Sequence, residues 1–455
     1  MRDRRGGGPP TVEPPEDAAP SRDGAPPRNG PPPALGRVRL RARAHRSPSR
    51  RARLTLVASL GCLALAGGCS TPATPPISPS TALAQPGPAT PSTSPTSTSP
   101  TSTSTSTSTS PAITEIPTVA VTSSTDLVTG LDSPWGLAFL PDGGALVTLR
   151  DAARIVRIAP ATPATATRAA PTPITGPGAD TLASSTAPGG EAGLLGVAIA
   201  PVGGPHAGEV YLYRTTARGN QVDRATLTGT TLGDLQPVLT GIPRADHHDG
   251  GRLAFGPDGY LYVSTGDAGT TSNAQAPTTL GGKILRLTAD GDPAPGNPTP
   301  GSPVWSLGHR NVQGLGWAAD GRMFASEFGQ NTFDELNQIT PGANYGWPTV
   351  EGIGGAGRGF TDPLATWPTA DASPSGLAVT PEGVYLAALR GERLWRVPLT
   401  ATGTGAPQAL LTGTLGRLRT VAVAPDGALW VLTNNTDGRG TPRAGDDRLV
   451  RLTVG

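Results

Sequence analysis

From Gly136 onward, one short unit recurs along this 455-residue chain and limits its architecture more than any other feature. Each copy is an apolar run, a tight turn and a second apolar run. GLAFLPDGGALVTL begins at Gly136, GRLAFGPDGYLYVSTGD at Gly251, GLGWAADGRMFASEFG at Gly314 and GLAVTPEGVYLAALR at Gly376. TVAVAPDGALWVLTNN begins at Thr420, and GLLGVAIAPVGGPHAGEVYLY, from Gly193, carries a longer turn. Pro-Asp-Gly suits a hairpin because Asp bonds its own backbone and Gly tolerates positive φ. A third run, such as Arg154–Ile158 or Lys283–Leu287, alternates a cation with Ile, Val or Leu. No stretch keeps a helical period. Units spaced by roughly 45 to 63 residues are blade-sized. Six of them predict an all-β chain, a six-bladed β-propeller over residues 119–455. A solenoid could use the same units, but paired antiparallel hairpins favour closure.

The first 118 residues follow other rules. Residues 1–53 hold 13 arginines against 5 acidic residues, and residues 54–69 pass from an apolar run to Ala66-Gly67-Gly68-Cys69. The apolar run is too short to span a bilayer and suits a signal-peptide core. Small residues before a cysteine resemble a lipoprotein signal, with a lipid expected on Cys69. The long basic stretch before it also fits a start codon assigned too early. Residues 70–118 are a Ser/Thr/Pro-rich linker with no apolar face, so no core offsets its ordering entropy. The expected arrangement is an extracytoplasmic domain on a disordered stalk, anchored to a membrane through Cys69.

Beyond residue 53 the chain has 23 basic and 29 acidic residues. That mildly acidic balance argues against nucleic acid as a partner. There is no cysteine after Cys69, so the domain is expected to rely on packing or bound ions rather than disulfides.

In a propeller, blade-connecting loops gather at one end of the central channel, so residues that break the blade pattern there deserve scrutiny. His247-His248-Asp249-Gly250-Gly251 precedes an inner strand, and a histidine there can act as a general base near neutral pH. A solvated turn histidine fits equally well. Glu191 one blade earlier and Arg310-Asn311 one blade later hold the same register. Arg390, Arg417 and Arg419, near the ends of late blades, would suit an anion with several carboxylates, or would simply be surface charge. Ser326–Pro348, with Asp334, Glu335 and a Gly-rich bend, has the oxygen-rich character of a calcium loop, although its spacing is not that of an EF-hand.

Together, HHDGGRLAFGPDGYLYVSTGDAG, GHRNVQGL and SEFGQN..DELN....GANYGWP, in that order, resemble the soluble quinoprotein glucose/sorbosone dehydrogenases. The resemblance runs from Gly130 to the C-terminus and is nearest to the compact aldose sugar dehydrogenase branch. It implies a six-bladed propeller that binds pyrroloquinoline quinone (PQQ) and calcium and oxidises aldoses. His248 matches the catalytic base, Asp267 the carboxylate that orients it, and Arg310 and Asn311 the residues contacting the quinone oxygens. Arg390, Arg417 and Arg419 match the grip on the cofactor's carboxylates. Gly329 and Gln330 match backbone calcium ligands, and Glu335 and Tyr345 a second calcium site in some members. Departures from the glucose-oxidising type are Glu191 for a glutamine, Arg390 for a lysine, Gln330 for a proline, and Thr420 where an aspartate is expected.

The resemblance implies transfer of hydride from an aldose C1 to the quinone, and onward delivery of electrons to an external quinone or cytochrome. Two other readings stand beside it: a binding propeller that has lost its chemistry, and a calcium-dependent lactonase-type hydrolase, which would need several channel carboxylates around a metal.

Overall fold

The computed structural model describes residues 116–161 and 170–455. The leader, Cys69 and most of the linker lie outside the described residues.

Six four-stranded antiparallel sheets form the six expected blades. Five follow the chain from the innermost strand outward. Their inner strands are Pro134–Phe139, Leu194–Ile199, Leu253–Phe255, Val312–Trp317 and Pro374–Thr380. The sixth blade begins at Leu418–Val423 and takes its outermost strand, Val121–Thr129, from the start of the domain, paired against the last strand, Arg448–Val454. That pairing joins the two ends of the propeller and covers the edge that Arg448–Val454 would otherwise leave open.

The second strands read as continuous apolar runs for a physical reason. Ala145–Leu149, Leu261–Ser264, Met323–Glu327, Gly383–Ala388 and Leu429–Thr433 are buried at every position. Each is covered on both faces by neighbouring blades, so neither face needs polar residues. The core is divided accordingly into clusters between blades. One joins Tyr211, Tyr213 and Leu253 with Leu285; another joins Phe324 and Leu336 with Leu377 and Leu386.

Inner strands approach backbone to backbone around the axis. Glycine recurs at one register, Gly136, Gly196, Gly314 and Gly376. A Cβ on Gly196 would stand 2.1 Å from the Gly251 carbonyl oxygen. Two blades break this register with Arg252 and Thr420. The Arg252 guanidinium lies over the Trp135 ring at 4.3 Å and donates to Gln313 O and Thr420 Oγ1. It bridges three other blades.

Among the described residues two short α-helices interrupt the all-β pattern, Pro177–Ser185 and Ser272–Gln275. Both lie in connections, and neither is long enough to show a helical period in sequence. Residues 272–275 matter to the site, because they pack behind the loop that carries Asp267.

Candidate active site

His248 and Asp267 meet at the mouth of the channel. His248 Nδ1 stands 2.8 Å from Asp267 Oδ1, with the imidazole 14% exposed and the carboxylate fully buried. Asp267 also accepts the Gly269 N–H at 2.8 Å and the Trp347 indole N–H at 2.8 Å. Burial alone would raise its pKa, but the His248 and Trp347 side chains and the Gly269 amide outweigh that and hold it below its ordinary value. An ionised carboxylate only accepts, so the His248 proton belongs on Nδ1 and Nε2 keeps a free lone pair. His247 is exposed, its ring edge-to-face with His248 at 4.4 Å.

The backbone beneath the histidine is held under constraint. His248 has φ 60°, followed by Gly250 at 65° and Gly251 at 104°. A non-glycine residue in the left-handed region is disfavoured and persists only where neighbours fix it. Three partners do so. The His248 N–H donates to Glu191 Oε2 at 3.0 Å, Gly250 N–H to Asn311 Oδ1 at 3.0 Å, and Gly251 N–H to Ser264 O at 2.9 Å. Thus Glu191, His248 and Asn311, which share a register in sequence, do converge. Asn311 is buried and engaged with the protein itself. Burial would raise the Glu191 carboxyl, but the His248 amide and the Arg439 and Arg419 charges keep it below its ordinary value.

Arginines surround this centre. Arg310 donates to Gly329 O at 2.6 Å and lies over Trp347 at 5.4 Å. Arg417 reaches Asp437 at 3.2 Å, and Arg419 reaches Gln313 Oε1 at 2.9 Å and Ser375 Oγ at 3.3 Å. Burial, with Arg150 adding a like charge, pushes Arg419 down to about 9 despite Asp437. The Nε atoms of Arg310, Arg417 and Arg419 are all buried without a hydrogen-bond partner. Such donors are costly to leave unmet, and three at one channel mouth suit an anionic ligand. Arg390 stands apart: it is exposed and makes no side-chain hydrogen bond or ion pair among the described residues.

The 326–351 segment closes one side. Glu351 Oε1 accepts the N–H groups of Gln330, Asn331, Thr332 and Phe333 at 2.7–3.1 Å. Four successive amides are thus gathered on one carboxylate, which fixes the turn. Gly329 O is already shared with Arg310. Glu335 lies behind, accepting from Gly352 N and Asn337 Nδ2; burial and the nearby Glu327 carboxylate push it up to about 8. The Tyr345 hydroxyl donates to Gln338 O and accepts from Thr340 N, so it braces its own hairpin. Among the described residues no three His, Cys, Asp or Glu side chains form a metal cage; a cation here would rest chiefly on main-chain oxygens.

Several participants escaped the sequence reading. Trp347, Asp437, Arg439 and Arg150 all touch this region from loops. Arg150 and Asp437 follow the second strand of their blades, as Asp267 does, and that second register is the signal that could have found them. Trp135, Gln313 and Ser375 precede the inner-strand glycine, and Arg419 precedes Thr420 at the same place.

Known proteins resemble this chain in sequence and fold. The PQQ-bound aldose sugar dehydrogenase from Streptomyces coelicolor is 51% identical, with 74% of this chain covering 98% of that one at a TM-score of 0.68. An aldose sugar dehydrogenase of Escherichia coli (strain K12) is 29% identical over 68% of this chain and 89% of its own length. Quinoprotein glucose dehydrogenase B of Acinetobacter calcoaceticus is 37% identical over 27% of this chain and 30% of its own. Fold and likeness together define an oxidoreductase of the sugar dehydrogenase type. The chain belongs to the Glucose / Sorbosone dehydrogenase family, which it matches over residues 131–450.

Proposed function

We propose that this chain is a PQQ- and calcium-dependent aldose dehydrogenase that oxidises the C1 hydroxyl of a sugar to the lactone, with His248 as general base. The observation that carries the reading is the His248–Asp267 pair set beside three buried, unpartnered guanidinium Nε groups. PQQ is a tricarboxylic quinone, and that donor set fits it. Arg417 and Arg419 would hold carboxylates, with Arg390 reaching in from the rim, and Arg310 would face the quinone oxygens. When bound, the quinone would supply the two-electron acceptor for the hydride leaving C1.

The chain's own residues manage the proton. Nδ1 is tied to Asp267, so Nε2 accepts the proton of the C1 hydroxyl. The buried carboxylate stabilises the imidazolium that results and fixes its orientation. Loss of hydride and proton together leaves the lactone. His248 then returns its proton to water, and the electrons leave to an external quinone or cytochrome. Calcium would rest on the carbonyls of Gly329 and Gln330, with Glu335 and Tyr345 nearer a second ion. The PQQ-bound Streptomyces relative supports the cofactor.

The same reading places the protein outside the cytoplasm, held to the membrane by a lipid on Cys69. This rests on the sequence alone.

The test is dye reduction by the purified protein with PQQ, calcium and a panel of aldoses, with and without a chelator. Sugar-dependent reduction that needs both additions is expected; binding of PQQ with no turnover on any aldose would overturn the reading. His248→Ala should abolish turnover, with PQQ affinity changed little, because the cofactor's grip lies elsewhere.

A further inference from the structure

Arg439 belongs to the loop between the strands Leu429–Thr433 and Arg448–Val454, far from the segments that supply the base. Its guanidinium donates to Glu191 Oε1 at 3.1 Å across 248 residues of chain. The other oxygen of that carboxylate accepts the His248 N–H and lies 3.5 Å from Asn311 Nδ2. Glu191 is 23% exposed and Arg439 half exposed, so water competes with this contact. Arg439 lines a cleft of about 540 Å³ together with Arg150, Asp151 and Asp437.

We propose that Arg439 is a positioning residue for the general base, acting through Glu191. His248 needs an acceptor on its backbone N–H to stay in a left-handed conformation, and Glu191 is that acceptor. A carboxylate has several equivalent directions in which to accept. Arg439 takes one oxygen from the far side and presents the other to His248. The two carboxylates therefore divide the work: Asp267 orients the ring, and Glu191, steadied by Arg439, orients the backbone. A glutamine at position 191 could accept from His248 through its oxygen but would have no charge to attract a guanidinium. The pair is thus a device particular to chains with an acid at this position. The proposal rests on the dehydrogenase reading only for its consequence in turnover; the positioning itself belongs to the protein without cofactor.

The experiment separates the two. Amide hydrogen exchange at His248 is followed by NMR on the full, cofactor-free chain for wild type, Arg439→Met, Arg439→Lys, Glu191→Gln and the double variant Arg439→Met/Glu191→Gln. Arg439→Met is expected to speed exchange at His248 by about five- to tenfold while amides of Val263 and Leu285 in the same blade keep their rates. Arg439→Lys should restore part of the protection. In the Glu191→Gln background, Arg439→Met should add nothing. Unchanged exchange at His248, equal acceleration throughout the blade, or an undiminished effect in the Glu191→Gln background would each overturn the proposal. With PQQ and sugar, Arg439→Met should lower kcat and leave cofactor affinity unchanged. If wild type shows the exchange pattern but no PQQ-dependent turnover, the dehydrogenase reading fails and the positioning role stands.

Discussion

Trp347 and Asp267 lie 80 residues apart, yet the indole N–H of the first donates to the carboxylate of the second at 2.8 Å. The tryptophan sits in the blade after that of the aspartate and covers the oxygen that His248 does not use. It also supplies the aromatic face on which Arg310 rests. One side chain thus links Asp267, the carboxylate paired with His248, to Arg310, a cation of the proposed cofactor site.

Trp347→Phe keeps the aromatic face and removes the donor. Asp267 then has one oxygen buried without its partner, and its hold on His248 loosens. We expect kcat to fall roughly three- to tenfold, with KM for the sugar changing less. Steady-state kinetics at saturating PQQ measures this.

Asp267→Asn tests the acid itself. Asp267 has a folded pKa below its unfolded value, so its stabilisation is complete above the unfolded pKa and is lost as pH falls through the folded one. Wild type should therefore lose stability on acidification below about pH 4. Asp249 and Asp334, raised by burial to about 6, act with the opposite sign between their unfolded and folded values. Thermal unfolding of wild type and Asp267→Asn from pH 3 to 6 isolates the Asp267 contribution, and the variant should show the flatter acid limb. Turnover should fall about 100-fold or more, because an amide can present its N–H to His248 and favour the wrong tautomer.

Arg417→Met and Arg419→Met address the cofactor. Each removes a guanidinium with an unmet buried donor. Each should weaken PQQ binding by about tenfold or more, read by fluorescence titration without sugar. Arg390→Met, at an exposed and unpaired position, should have the smallest effect of the three.

Lys283→Met concerns stability. This is the only lysine in the chain, and it is fully buried. Its ammonium donates to the carbonyls of Asn273, Ala274 and Gly281 at 2.6, 3.1 and 2.8 Å. Burial pushes it down to about 8. It acts as an internal cation that gathers the turn behind Asp267, where Asn273 Nδ2 bonds Asp267 O and Gln275 Nε2 bonds Trp347 O. Methionine would leave these carbonyls without their donor, at a cost of about 2–4 kcal/mol. Chemical denaturation measures the loss, which should be accompanied by reduced kcat.

The blade pattern was legible because each hairpin is a local event. Turn chemistry and apolar strand runs are written within some twenty-five residues, as in Gly251 to Asp267. His248, Asp267 and Arg310 stand out in the sequence because they break that pattern at loop positions, and the structure pairs the first two at 2.8 Å. The pose of each side chain was not legible: Arg390 is exposed, and the Asn311 carboxamide accepts from the Gly250 N–H and lies 3.5 Å from Glu191 Oε2.

The sequence by itself determined the six-fold repeat and the all-β class, and it singled out His248, Asp267 and the arginines as candidates. Hairpin periodicity and motif order are properties of neighbouring residues, so they survive without coordinates. Only the tertiary structure decided that Trp347 caps Asp267, that Arg252 reaches Thr420 three blades on, and that Arg439 returns from the last blade to Glu191. Those contacts join residues 80, 168 and 248 positions apart. They depend on how closely the inner strands approach around the axis, a distance that no local pattern encodes.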